Sequence, residues 1–567
     1  MQLPFPRRKF LKAALTTGAA SGLLLTSWGR KVLAAVVNPE TSRVFSHGVA
    51  SGDPTHHSVL LWTRISDADS KTVSWELALD SEFTRVVQSG STETSQARDH
   101  TVKIIAENLH PGQSYYYRFR ADGVVSEPGR TRTLPKGSLA RLGLAIASCS
   151  NFPFGFFNAY EVIAADPEVD FVLHLGDYIY EYGGDGWGAD EGAEIGRAHS
   201  PAHEIVGLED YRQRHAQYKS DVGSRLMHAA HPLICTWDDH ESTNNPWIDG
   251  AQNHQSDTEG EWRARRDASL QAYFEWMPVR DPAPGGSRAE LWRHFAFGNL
   301  ASLITLETRH TGRSEQINYG DYLESISNES DRDRFLRDVL GDATRGMLST
   351  EMESFLKSSL EKSYSESQRW RLIGNQIPIA RTHVPDVANL LEREVGQRNN
   401  PQPDSHRLFA QLGQLNLPLY LDTWDGYPAA RERFYKQCRA AGASDLIVLT
   451  GDSHAFWANQ LFNDAGQRMG VELGTAGITS PGDFENYGPE GAAAFDRLVA
   501  EHNQEVTWTD CTRRGFVKLV LTPDSAKADY IVVDNVKTRQ YGSDILRSVN
   551  IVRRGDSLGF SSEHPAG

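Results

Sequence analysis

The sequence predicts an α/β protein preceded by a small antiparallel β-sandwich of the immunoglobulin or fibronectin kind. From about residue 141 onward, short apolar runs rich in β-branched and aromatic residues alternate with helical patterns, as in a sheet built from strand–helix units. Between 43 and 134 the pattern is different: short alternating runs separated by turn residues, which argues for an antiparallel sandwich. At 567 residues the chain also exceeds what one hydrophobic core holds, so two or more domains are expected.

Taken in chain order, Arg7-Arg8-Lys9-Phe10-Leu11-Lys12 precedes a mildly apolar stretch at 13–25 and then Lys31-Val32-Leu33-Ala34-Ala35. Residues 1–35 therefore read as a twin-arginine signal peptide cleaved near Ala34 or Ala35. The stretch is too short and too rich in Gly, Ser and Thr to span a bilayer, and no other long apolar run exists. A soluble periplasmic or secreted protein, delivered folded by the twin-arginine export machinery, is the expectation. Because 1–35 hold six Lys or Arg and no acid, their removal takes the net charge from −16 to −22. So acidic a body repels nucleic acid and anionic lipid. Four cysteines in such a length do not make a disulfide scaffold; whether Cys438 and Cys511 pair is left open.

In the sandwich region, strands are expected at 58–64, 73–79, 102–106 and 114–120, divided by Asp53-Pro54, His110-Pro111-Gly112 and Ala121-Asp122-Gly123. Its expected role is packing and shielding. Leu134-Pro135-Lys136-Gly137-Ser138 reads as a linker. In the larger domain, 141–505, helices are expected at 156–165, 208–229, 257–274, 350–363 and 429–441, and the Gly- and acid-rich 183–194 reads as a solvated loop or lid. Within 506–552, runs at 515–522 and 528–534 read as a hairpin that completes this domain.

Chemistry concentrates in five polar blocks, the first four of which each follow a predicted strand. They contain Cys149; Asp177 and Tyr180; Asp238, Asp239, His240 and Asn244; Asp452 and His454; and Thr475 to Ser480. In an open α/β sheet, ligands bind at the carboxyl ends of strands, and these side chains hold hard and borderline metals. Asp177-x-x-Tyr180 lets a carboxylate bridge two ions while a phenolate, which favours a ferric ion, reaches one of them. Asp239 offers an oxygen ligand and leaves His240 free to act as an acid. Asp452 and His454, two residues apart, can give one ligand to each ion. Cys235, inside an apolar strand, reads as a small buried hydrophobe.

Taken in order, the blocks resemble the metallophosphoesterase plan of purple acid phosphatases. Three departures stand out: Asp239 in place of the usual Asn before His240, Asp452 where His is common, and Cys149 in place of the first Asp-x-His. Together with Trp237-Asp238-Asp239-His240-Glu241 they make nearly the whole chain resemble the PhoD family of alkaline phosphatases and phosphodiesterases. The resemblance implies an αββα metallophosphoesterase sandwich and one Fe³⁺ with two Ca²⁺, oxygen-rich sites suiting calcium. It further implies that Cys149, Asp177, Tyr180 and His454 face iron, and Asp177, Asp239, Asn244 and Asp452 face calcium. Asp238 would stand behind them or act as an outer calcium group. The implied reaction is hydrolysis of phosphomonoesters or phosphodiesters by metal-activated hydroxide, with His240 as acid. A phospholipase D-like phosphodiesterase is the alternative within that class. A non-catalytic extracellular binding protein is the alternative outside it, and the intact His240, Asp177 and Asp452 argue against that. The segments 306–309, 374–376 and 424–427 are also family-like, without a role assigned from their chemistry.

Overall fold

In the computed structural model, residues 27–36, 38–66, 71–387 and 404–561 are described. A ten-stranded sheet has the parallel strands Leu142–Ala147, Phe171–His174 and Leu233–Cys235 at its centre. All three are buried on both faces, which is why they read as continuous apolar runs rather than alternating ones. Arg514–Leu521 pairs antiparallel with Leu142–Ala147 and is followed by Ala526–Val533, Ser543–Arg554 and Ser557–Phe560. The expected C-terminal hairpin is thus four strands, built into the central sheet.

On its other side, Leu233–Cys235 is joined in parallel by Val49–Gly52, which leads to Val59–Arg64 and Thr101–Ala106. Part of the region expected as a separate sandwich therefore continues the central sheet. The rest, Thr72–Ala78, Val86–Glu93, Ser114–Ala121, Val124–Val125 and Gly129–Arg132, forms a five-stranded sheet of its own. Val59, Leu61, Val73, Leu77, Tyr115, Tyr117 and Phe119 fill the core of this region. Fusion of the sheets depends on Gly52: a Cβ there would lie 2.4 Å from the Pro278 carbonyl oxygen and 2.7 Å from that of Leu233. Only glycine lets the strand approach so closely.

A seven-stranded sheet runs Arg293–Phe297, Ala301–Thr305, Trp370–Gly374, Leu446–Thr450, Arg468–Gly474, Phe456–Phe462, Val506–Asp510. Leu144, Ile146, Leu173 and Ile234 of the first sheet share a core with Leu303, Leu372, Ile447 and Leu449 of the second. The alternate residues face outward under helices. Ala145 and Val172 lie with Ile163 and Tyr273, and Ile304, Ile373 and Val448 lie with Leu356 and Phe434.

The helical pattern at 208–229 is two helices, Leu208–Lys219 and Val222–Ala230. Asp221 breaks it by capping the second: one carboxylate oxygen accepts the Gly223 N–H at 2.8 Å and the other accepts Arg197 at 2.7 Å. The pattern at 257–274 likewise divides into Ser256–Glu259 and Trp262–Trp276 at Gly260, whose φ is 83°. Of the expected leader, residues 1–26 lie outside the described residues, while Ser27–Val36 is a helix with Trp28, Val32, Leu33 and Val36 buried. The expected cleavage near Ala34 or Ala35 falls inside that helix. All four cysteines are free thiols, with Cys438 and Cys511 in different apolar clusters. Among the described residues, no helix is long and apolar enough to cross a membrane.

Candidate metal centre

The polar blocks meet where parallel strands of both sheets end. Cys149 follows Leu142–Ala147, Asp177 follows Phe171–His174, Asp238 and Asp239 follow Leu233–Cys235, and Asp452 follows Leu446–Thr450. Several of these residues are in the left-handed region: Cys149 at φ 59°, Asp177 at 54°, Asn245 at 50°, Asp452 at 65° and His454 at 54°. Non-glycine residues adopt such angles at a cost that only over-determined surroundings sustain. Gly176, φ 106°, is part of that constraint, since a Cβ on it would lie 2.1 Å from the Asp238 nitrogen.

Three groups of donor atoms result, each within 4.8 Å: Cys149, Asp177 and His454; Asp177, Asp239 and His240; Asp238, Asp239 and Asp452. Asp177 belongs to the first two and Asp239 to the last two, so the groups form a continuous row. The Tyr180 hydroxyl lies 3.0 Å from Asp177 Oδ2, 3.3 Å from His454 Nε2 and 2.8 Å from Ser480 Oγ. A thiol, a carboxylate, a phenol and an imidazole thus converge at one end, a set suited to a ferric ion. At the other end are only carboxylates, a set suited to a hard divalent cation.

Electrostatics make the same demand. Burial pushes the carboxyls of Asp177 and Asp452 well above the usual range, with neighbouring carboxylates adding to it, and raises Asp238 to about 6 despite Arg309. Burial likewise raises the thiol of Cys149 and the phenol of Tyr180. Asp238 Oδ2 is buried without a hydrogen-bond partner. So many acids at such depth call for cations. Arg309, fully buried, supplies one: it lies 2.5 Å from Asp238, 3.1 Å from Asp452 and 3.9 Å from Asp239.

Nearly all the residues expected at the site are brought together. Asn244 has its side-chain amide nitrogen donating to Gln252 at 3.2 Å and its backbone N–H to Glu181 at 2.9 Å. His240 has its Nδ1 2.6 Å from Glu181 Oε2 and its ring stacked 4.2 Å from that of Tyr180. Burial would lower its pKa, but the carboxylates of Asp239, Glu181 and Asp177 outweigh burial and hold the imidazolium well above its ordinary value.

Comparison with known proteins gives the family. The model of the family described as PhoD-like phosphatase matches residues 144–530, and that of its N-terminal domain matches 31–135. The chain belongs to the PhoD-like phosphatase family. It is 34% identical to a protein named alkaline phosphatase D from Bacillus subtilis (strain 168), over 98% of this chain and 89% of that one. A solved structure titled "Structure of PhoD" superposes with a TM-score of 0.74 at 31% identity, covering 92% of this chain and 93% of that one. As a family member the chain is a phosphatase.

Around the centre of this PhoD-like phosphatase lies a frame that residue types alone did not reveal. Glu241 accepts the backbone N–H groups of Asp177, Tyr178 and Asp238 at 3.0, 2.6 and 2.7 Å, clipping two ligand loops together. Ser480 donates to the Cys149 carbonyl at 3.0 Å, and His454 Nδ1 meets the Pro481 carbonyl at 2.9 Å, which leaves Nε2 toward the iron-type group. That accounts for the fifth block. The family-like segments also find roles. Glu307 accepts the N–H groups of Arg309 and His310 at 2.9 and 2.8 Å, and Gln376 bridges Thr236 and Leu306 at 2.9 and 2.7 Å. Asp425 caps the 424–427 turn region by pairing with Arg431 at 2.6 Å. The adjacency of Glu181 to Tyr180 and of Glu241 to His240 was the available signal for two of these residues.

Proposed function

We propose that this chain is an exported, metal-dependent phosphoesterase of the alkaline phosphatase D type, built on the αββα metallophosphoesterase plan and hydrolysing phosphomonoesters or phosphodiesters. The observation that carries this reading is the row of three donor groups sharing Asp177 and Asp239. The thiol-containing end fits Fe³⁺, held by Cys149, Asp177, Tyr180 and His454, and the carboxylate end fits two Ca²⁺, with Asp239, Asp452 and Asp177 as ligands and Asp238 outermost. Ions held there would supply Lewis acidity toward the phosphoryl oxygens and toward water. Asn244 joins this ligand set through its amide oxygen, since it is the amide nitrogen that bonds Gln252.

The remaining chemistry belongs to the chain. Glu181 holds His240 by Nδ1, so that Nε2 carries the proton given to the departing oxygen. Arg309, whose Nη1 is buried without a partner, is the free donor for a phosphoryl oxygen. The N-terminal region, 43–134, gives three strands to the central sheet and packs beside it, 141–505 carries the centre, and 506–552 completes the sheets. Metal analysis with an absorption spectrum tests the assignment. Native protein is expected to show a phenolate-to-iron band that Tyr180→Phe bleaches with calcium retained, and Cys149→Ser is expected to lower iron content while the fold persists. A colourless native protein that contains iron would overturn the Tyr180 role, and full iron in Cys149→Ser would overturn that of the thiol.

Export rests on residues 1–35. Changing Arg7-Arg8 to Lys-Lys is expected to leave precursor in the cytoplasm, read by fractionation; efficient export of that variant would remove the twin-arginine route.

A further inference from the structure

The loop that follows Tyr180 builds a wall beside the centre that the chemistry above does not use. Trp187 and Tyr182, both half-buried, stand at its mouth. The indole of Trp187 stacks on the His454 ring at 5.5 Å with 11° between planes, and lies 4.7 Å from the Phe154 ring and 6.2 Å from that of Tyr182. The Tyr182 ring is in turn 5.4 Å from that of His240. Each of the two imidazoles therefore has an aromatic ring against it, and the two rings adjoin.

The wall is fixed in place. The Gly184 N–H donates to the Ala202 carbonyl at 2.6 Å, Ala189 N–H to Gly186 at 3.0 Å, and a short helix, Ala189–Ile195, follows. Gly188 has φ 89°, and a Cβ on it would lie 2.8 Å from the Phe154 ring; one on Gly183 would lie 2.9 Å from the Ala202 carbonyl oxygen. The glycines of 183–188 thus let the turn press Trp187 onto His454. The segment expected as a solvated loop or lid leaves Gly184, Asp185, Asp190, Ala193 and Glu194 exposed while its glycine turn packs against Phe154 and Ala202.

We propose that Trp187 and Tyr182 form the subsite for the alcohol portion of the ester, and that this subsite selects a flat, uncharged ring carried one carbon beyond the ester oxygen. The inference rests on the phosphoesterase reading and on His240 as the acid. With Nδ1 held by Glu181, the departing oxygen must lie near Nε2. The His240 ring has Tyr180 stacked on it at 4.2 Å and Tyr182 at 5.4 Å, and Trp187 adjoins both at 5.8 and 6.2 Å, so these are the aromatic surfaces beside that histidine. Rings presented this way favour a planar partner over a saturated one of the same size, because aromatic pairs gain energy beyond the area they bury. Trp187, by its stack on His454, could instead serve only to orient a metal ligand, and the experiment separates the two roles.

Benzyl phosphate and cyclohexylmethyl phosphate have similar bulk and leaving groups of similar basicity, and differ in planarity. The metal-loaded enzyme is expected to prefer the benzyl ester by about three- to tenfold in kcat/KM, the gain typical of one aromatic pair. Trp187→Ala should bring the ratio close to one with metal content unchanged, and Trp187→Phe should restore most of it. Calorimetric titration with 2-phenylethylphosphonate and 2-cyclohexylethylphosphonate, in which CH2 replaces the ester oxygen and which are not hydrolysed, reads the same preference as a ratio of Kd values without turnover. A ratio of one in the native enzyme, by turnover or by binding, overturns the subsite. So does loss of metal in Trp187→Ala with equal impairment on both esters, which makes Trp187 a positioning residue for His454. Preference for choline phosphate over both esters would also overturn it, in favour of a cation-binding wall. If neither ester turns over while the phosphonates bind with the expected ratio, the phosphoesterase reading fails and the ring-binding surface stands.

Discussion

Exchanging His240 for asparagine is expected to lower turnover by a factor on the order of 10²–10⁴, most severely for esters with poor leaving groups, because only those need the proton. The geometry behind this is a short Nδ1 contact to Glu181, 2.6 Å, and a Tyr180 ring stacked at 4.2 Å, which together fix the imidazole. The carboxylates of Asp239, Glu181 and Asp177 outweigh burial and raise its pKa above the ordinary range; of the three, Glu181 is the one outside the proposed ligand set. Glu181→Gln removes one of those charges. The pKa of His240 should then fall, and the alkaline limb of the rate profile should move to lower pH, since activity is lost as the acid deprotonates. Asp177, Asp239 and His240 also form one of the three donor groups. Metal analysis of His240→Asn therefore decides between roles: loss of an ion, or equal impairment on all leaving groups, would make His240 a ligand rather than the acid.

Lys219→Met is expected to stabilise the protein at pH 6 and to lose that advantage by pH 10. Lys219 is 1% exposed, and its ammonium meets His228 Nε2 at 3.0 Å between the rings of Trp62 and Tyr178, 4.9 and 5.0 Å away. His215, His174 and His47 surround it, and burial lowers its pKa from 10.5 to about 7. Between those two values the unfolded chain binds more protons than the folded one, so the stability of the native protein rises with pH across that window and the penalty is fully present below it. The shift bounds the penalty at roughly 5 kcal/mol, and contact with two aromatic faces returns about 2 kcal/mol of it. Methionine fills the same space without charge, while the Tyr178 hydroxyl, 3.0 Å from His228 Nε2, still faces the imidazole. The check is the difference in urea midpoint between variant and native protein at pH 6, 8 and 10. A difference that does not change with pH would show that Lys219 is charged throughout and paid for by contacts already named.

Strand ends were legible because burial on both faces leaves a mark in the chain itself. The runs before Cys149, Asp177, Asp238 and Asp452 are apolar without interruption, and polar residues follow at once. The meeting of Cys149, Asp177, Asp239, Asp452 and His454 at one place was legible for the same reason, since each follows such a strand end. Glu241 and Arg309 were not. Their side chains act across 63 and 71 residues of sequence, on Tyr178 and Asp238, and no local pattern encodes a partner so distant.

Composition, period and residue type by themselves determined the alternation of strands and helices, the antiparallel character of 43–134 and the row of metal-binding groups, because each is a property of a few neighbouring residues. Only the tertiary structure decided which sheet a strand joins, where a long helical pattern breaks and what surrounds each ligand. Val49–Gly52 joins Leu233–Cys235 because Gly52 leaves room for the Pro278 and Leu233 carbonyls. Asp221 divides a helix because it both caps Gly223 and pairs with Arg197. Trp187 reaches His454 through a glycine turn whose fit depends on Phe154 and Ala202. Those outcomes are set by close contacts between segments far apart in the chain, and such contacts have no period to read.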